Sequence, residues 1–182
     1  RFHEVAEPHR VPSIMRLLVV GGSGYLGTRI VRQALKSGHA VTAISRRGGP
    51  PQSTVTPAEE LAGAEWISGD VTDSAAVASA VAGKDAVITT LGVFGSNAYM
   101  RAINGDANIA IARATKDAGA SRFVHVSAAD FGLIENLIPG YFGGKRAADA
   151  EISRLFGDHG AILRPGMIHG TRQVRMRGWK AG

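Results

Sequence analysis

The chain has 182 residues, of which 45% are hydrophobic and 20% charged, and it has no cysteine. That length suits one domain with a full core, and the missing cysteines exclude disulfides, thiolate metal sites and cysteine nucleophiles. The net charge of +6 suggests nucleic acid, but its placement argues otherwise. Arg172, Arg175, Arg177 and Lys180 all follow the last acid, Asp158, so the basicity belongs mainly to a tail, residues 171–182. A solvated or partner-bound tail is the favoured reading, with anionic lipid or RNA as the remaining options. The six histidines are scattered and none pairs with an acid at helical ligand spacing, so no metal is expected. No apolar run approaches the roughly 20 residues needed to span a membrane.

Residues 1–15 form an N-terminal extension, polar through Ser13 and without the apolar centre of a signal peptide. A start at Arg1 fits either a processed presequence or an incomplete fragment. The main domain is predicted over 16–170. It opens with an apolar strand, 16–20, followed by Gly21-Gly22-Ser23-Gly24-Tyr25-Leu26-Gly27 and an amphipathic helix over 25–37 that stops at Gly38. Strand, glycine turn and helix in that order suit a dinucleotide pyrophosphate: the glycines allow a tight turn and a close backbone approach, and the free N–H groups of the helix start face the anion. Gly22, Gly24 and Gly27 fit G-x-G-x-x-G, whereas Gly21, Gly24 and Gly27 fit G-x-x-G-x-x-G. A glycine-rich turn without a ligand is the alternative. A P-loop is disfavoured because Thr28 stands where its lysine belongs.

The second strand, 40–45, ends in Ser45-Arg46-Arg47. An acid there would accept from a ribose 2′-OH and favour NAD(H). Two guanidiniums instead suit a 2′-phosphate, so NADP(H) is favoured over NAD(H), with two arginines in a solvated turn as the alternative. The missing acid also disfavours S-adenosylmethionine. Arg47–Pro57 reads as a loop. After the third strand, 64–68, comes Gly69-Asp70-Val71-Thr72-Asp73. Asp70 is placed to accept from an adenine amino group, and Asp73 is expected to cap the helix over 73–82. The fourth strand, 85–91, reaches Leu91-Gly92, where glycine lets the chain pass beside a ribose. A helix over 98–118 leads to the fifth strand, 121–126, in which His125 between Val124 and Val126 reads as an interior histidine.

Ser127 ends that strand. In the helix predicted over 140–156, Tyr141 and Lys145 are spaced i, i+4 and share a face. Tyr141 suits a general acid or base, with the Lys145 ammonium lowering its pKa and bonding a nicotinamide ribose, while Ser127 orients a substrate oxygen. Gly143 and Gly144 fall between the pair, each costing about 1 kcal/mol in a helix interior. They suit either a close approach to a cofactor or a later helix start. The sixth strand, 160–164, runs into Leu163-Arg164-Pro165-Gly166. Alternating strands and helices with right-handed crossovers make a doubly wound parallel α/β sheet of the Rossmann type, strand order 3-2-1-4-5-6 with helices on both faces.

Taken together, Gly21–Gly27, Gly69-Asp70, Arg122–Ser127, Tyr141/Lys145 and Leu163–Gly166 resemble the atypical and extended short-chain dehydrogenase/reductases, NAD(P)-binding and epimerase-like. Within them the chain looks most like two organellar groups. One is the oxidoreductase-like proteins associated with coenzyme Q synthesis; the other is the NADPH-binding accessory subunit of respiratory complex I. The resemblance adds Val71, Leu91, Pro165 and Gly166 to the cofactor-binding residues. It implies an organellar location, mitochondrion before chloroplast, with membrane-surface contact through the tail. Extended members carry a substrate subdomain after the Arg-Pro-Gly segment; the sequence stops about 16 residues past Gly166, so that part is expected to be either missing here or lost. Two functions are therefore expected in competition. One is an oxidoreductase acting on a small carbonyl or quinone-like substrate. The other is a non-catalytic NADP(H)-binding subunit of an organellar assembly.

Overall fold

The computed structural model describes residues 14–51 and 56–170. The tail 171–182, and all of the N-terminal extension except Ile14 and Met15, lie outside the described residues. The strands are β1 (Arg16–Val20), β2 (Ala40–Ser45), β3 (Glu65–Ser68), β4 (Ala86–Thr89), β5 (Arg122–Val126) and β6 (Gly160–Leu163). The helices are α1 (Tyr25–Lys36), α2 (Ser74–Val81), α3 (Asn97–Arg101), α4 (Asn108–Asp117) and α5 (Pro139–Phe156). All the strands pair in parallel, in the order β3-β2-β1-β4-β5-β6. This is the doubly wound architecture expected from the alternation.

The core follows from the strand sequences. β1 lies mid-sheet and is buried on both faces, as parallel strands covered by helices are. Leu18 and Val20 join Ile44, Val87, Ile111, Phe123 and Ile152 on the face covered by α2, α4 and α5. Leu17 and Val19 join Val31, Ala34, Val41, Ala43 and Leu61 on the face covered by α1. The register pairs Val20 with both Ile44 and Thr89, so the ends of β1, β2 and β4 lie level at one edge. Asp73 caps α2 as expected, accepting from the Ala75 and Ala76 N–H groups at 2.9 and 3.4 Å.

Two helical expectations are refined. The helix read as 98–118 is continuous from Asn97 to Asp117, but Ala102–Ala107 winds as a π-helix between α3 and α4. The helix carrying Tyr141 and Lys145 starts at Pro139, ahead of both glycines. Gly144 serves the fold: a Cβ there would lie 2.9 Å from the Gly105 nitrogen, so α5 closes against the π-helical turn. Gly143 faces open space.

Candidate functional site

The glycine turn leaves β1 at the point where the strand order reverses, β1 toward β2 and β4 toward β5. Gly21 takes φ +80°, a left-handed conformation that glycine adopts without strain. A Cβ on Gly22 would come within 2.7 Å of the Ala43 Cβ, and one on Gly27 would overlap the Gly21 carbonyl oxygen. Hence α1 starts directly on the turn. Gly24 is its N-cap and provides no side-chain acceptor. The orphan N–H donors of the first turn are therefore left for an anion.

At the other side of this edge, Ser45 ends β2 at 7% exposure, and its Oγ is buried without a hydrogen-bond partner. Arg46 and Arg47 follow, both exposed. Asp70 accepts from the Thr72 N–H at 2.9 Å and the Thr72 hydroxyl at 2.8 Å. Those bonds, helped by the Arg46 charge, hold its pKa below the usual carboxylate range. A polar cradle that excludes Cβ atoms, an orphaned hydroxyl and adjacent guanidiniums fit the phosphates and adenosine of a dinucleotide.

Beyond β4 and β5 lies the second half of the site. Lys145 is 2% exposed. Its Nζ donates to the Leu91 carbonyl at 2.6 Å and the Val126 carbonyl at 2.7 Å, bridging the segment after β4 and the last residue of β5. Burial pulls its pKa down to about 8, with Asp149 opposing. A Cβ on Gly92 would lie 3.9 Å from this ammonium, so Gly92 and Lys145 are neighbours.

Tyr141 sits one turn earlier on α5, half-buried. Its ring stacks on Phe94 at 4.7 Å and 5° and meets Phe142 edge-on at 5.1 Å. The expected lowering of its pKa is not found: burial pushes the Tyr141 hydroxyl up. The Lys145 ammonium is directed at backbone carbonyls. Ser127 is buried, and its hydroxyl donates to Asp149 Oδ2 at 3.0 Å. Its single proton is thus engaged by Asp149.

Asp149 is a hub that sequence reasoning missed. Its Oδ2 also takes Arg164 Nε at 3.0 Å and lies 3.6 Å from Arg146 Nη1. Arg146 in turn donates to the Ala128 carbonyl at 2.7 Å, the Ala129 carbonyl at 2.9 Å and Glu135 at 2.5 Å. His125 lies beneath this cluster, fully buried and 2.8 Å from the Thr89 hydroxyl. Burial, and then the Lys145 charge, drop its pKa to about 3, so it is neutral near pH 7. Asn104 was missed too. Its Oδ1 accepts from the Val93 N–H at 2.9 Å and its Nδ2 donates to the Val93 carbonyl at 3.1 Å, fixing the segment after β4. One signal was available: Asp149 stands between Ala148 and Ala150, four residues after Lys145. Pro165 and Gly166 follow β6, where the Pro165 carbonyl accepts from the Ala129 N–H at 2.9 Å.

The sequence profile of the NAD(P)H-binding family matches residues 21–178. The chain belongs to that family. Among its relatives, an uncharacterized chloroplastic protein of Arabidopsis thaliana is 36% identical over 87% of this chain and 52% of its own length. The mitochondrial protein fmp-52 of Neurospora crassa is 31% identical over 85% of this chain and 65% of its own length. The chain therefore spans about half to two thirds of these family members. Among solved structures, the Bordetella bronchiseptica enzyme WbmG in complex with NAD superposes with a TM-score of 0.64 at 23% identity, over 84% of this chain and 53% of that one. A UDP-galactose 4-epimerase superposes at 0.66 with 20% identity, over 82% and 55%. Within the family, this chain has an epimerase-like short-chain dehydrogenase/reductase fold with the strand order already described.

Proposed function

We propose that the chain binds NADP(H) in preference to NAD(H) and acts as an oxidoreductase on a small carbonyl or quinone-like substrate, in an organelle and with the mitochondrion favoured. The observation that carries this reading is the convergence, at the carboxyl ends of β1, β4 and β5, of the glycine turn on one side and buried Lys145 on the other. Gly21–Gly27 would hold the pyrophosphate. Ser45, Arg46 and Arg47 would hold the 2′-phosphate, Asp70 and Val71 the adenine, and Leu91, Gly92, Lys145, Pro165 and Gly166 the nicotinamide ribose. The bound cofactor would supply or accept a hydride. Tyr141 exchanges the proton with the substrate oxygen. Lys145 keeps positive charge near the developing alkoxide. Ser127 orients that oxygen once its hydroxyl turns from Asp149. The organellar location rests on the chloroplastic and mitochondrial names of relatives. Among the described residues no helix is long and apolar enough to cross a membrane.

A second reading, a dinucleotide-holding subunit of an organellar assembly without turnover, is favoured by two observations. The Ser127 hydroxyl donates its hydrogen bond to Asp149, and Phe94 stacks on the Tyr141 ring. Tyr141→Phe separates the two. In an oxidoreductase it abolishes NADPH oxidation across a panel of carbonyls and quinones, with cofactor affinity kept. Absence of turnover in the unsubstituted protein across that panel supports the holding role.

A further inference from the structure

The segment after β6 does not end at the sheet edge where β6 lies. Three polar links trace its course. Arg164 Nε donates to Asp149 on α5 at 3.0 Å. The Pro165 carbonyl accepts from the Ala129 N–H, just past β5, at 2.9 Å. The His169 carbonyl then accepts from the Tyr25 hydroxyl at 2.8 Å. Tyr25 is the first residue of α1, which follows β1. Because β4 separates β5 from β1 in the sheet, residues 165–169 must cross the carboxyl end of β4. That end borders the switch-point crevice in which open α/β sheets bind their ligands.

This segment is not held by burial. Met167 is 77% exposed and Ile168 50%, so the polar links at its two ends carry it. The far link is closely fitted. Gly170 has φ +147°, and a Cβ on it would overlap the Tyr25 hydroxyl. On its other side, the Tyr25 ring is braced by Arg29, whose guanidinium carbon lies 3.7 Å above the ring centre and whose Nη1 donates to the Tyr25 carbonyl at 2.8 Å.

We propose that Arg164–Gly170 is a retaining strap across the dinucleotide crevice, and that the Tyr25 hydroxyl is its latch. The strap is fixed to α5 and β5 at one end and released at the other when Tyr25 lets go of the His169 carbonyl. The role belongs to the Tyr25 side chain, separate from its backbone N–H at the helix start. It rests on dinucleotide binding at this crevice.

The test is stopped-flow release of bound NADPH, and of NADH in parallel, from the full chain. Cofactor fluorescence is followed after a chase with excess oxidised cofactor, and a titration establishes binding first. Tyr25→Phe keeps the ring under Arg29 and removes only the hydroxyl. It should speed release about 2- to 10-fold, the range of one neutral hydrogen bond, with association unchanged. Gly170→Ala should do the same by displacing the strap. His169→Ala should have no effect, since the latch uses a backbone carbonyl. Hydrogen exchange gives an independent readout: cofactor should slow exchange at 166–170 in the unsubstituted protein and not in Tyr25→Phe. Equal release rates in all four proteins would overturn the strap and leave the cofactor site standing. Faster association with tighter binding in Tyr25→Phe would also overturn it, by showing that the segment obstructs the crevice. If neither cofactor binds the unsubstituted protein, the cofactor reading and the strap fall together.

Discussion

Asp149→Ala isolates the hub that joins β5, α5 and the segment after β6. Ser127, at 4% exposure, would lose its acceptor among the described residues, and a stranded buried hydroxyl costs about 1–3 kcal/mol. The Arg164 side chain is 52% exposed and regains water, so its share is discounted to below about 1 kcal/mol. Lys145 would lose the neighbour that opposes its desolvation. Together these give a loss of about 2–4 kcal/mol, or roughly 4–16 °C in Tm for a chain of this size. Urea unfolding at pH 7 measures it, with an unchanged m-value as the sign that only stability moved. Asp149→Asn keeps an acceptor for Ser127 and should lose about half as much. In a double-mutant cycle, Ser127→Ala and Asp149→Ala should couple by about 1 kcal/mol or more. Additive losses, or a loss under about 1 kcal/mol for Asp149→Ala, would refute the hub.

Three further outcomes are expected. The folded His125 pKa of about 3 lies below its ordinary 6.5, so the unfolded chain takes the proton first. Stability present above pH 6.5 should fall as pH drops toward 3, by up to about 1.4 kcal/mol per unit. A titration of the His125 ring itself near pH 6.5 in NMR spectra, assigned by its loss in a His125 variant, would contradict this. Lys145 falls from 10.5 to about 8, so the folded state loses its proton first and stability should rise from pH 8 toward 10, where Tyr141 begins to oppose it. Lys145→Met should flatten that rise in urea titrations. For the cofactor, replacing Arg46 and Arg47 together by alanine should erase a preference for NADPH over NADH of about tenfold, the scale of one charge-assisted bond; calorimetry with both cofactors reads it, and an unaltered ratio would contradict the 2′-phosphate role.

What the sequence determined by itself was whatever short windows encode. Four apolar residues ahead of a glycine turn make a buried strand feeding a helix start, and Asp73 ahead of an alanine-rich run makes a cap. Repetition of such units with right-handed crossovers leaves little choice of strand order. The i, i+4 spacing put Tyr141 and Lys145 on one face of α5. It could not say where the Lys145 ammonium would turn, because that depends on carbonyls 19 and 54 residues away. Only the tertiary structure decided the pairs that join distant segments: Gly105 against Gly144, Asn104 holding Val93, Asp149 gathering Ser127 and Arg164, and Tyr25 meeting the His169 carbonyl 144 residues on. Each is a hydrogen bond or a close approach between elements, set by how the helices settle on the sheet. A glycine, an aspartate or a tyrosine in isolation carries no mark of the partner it will find there.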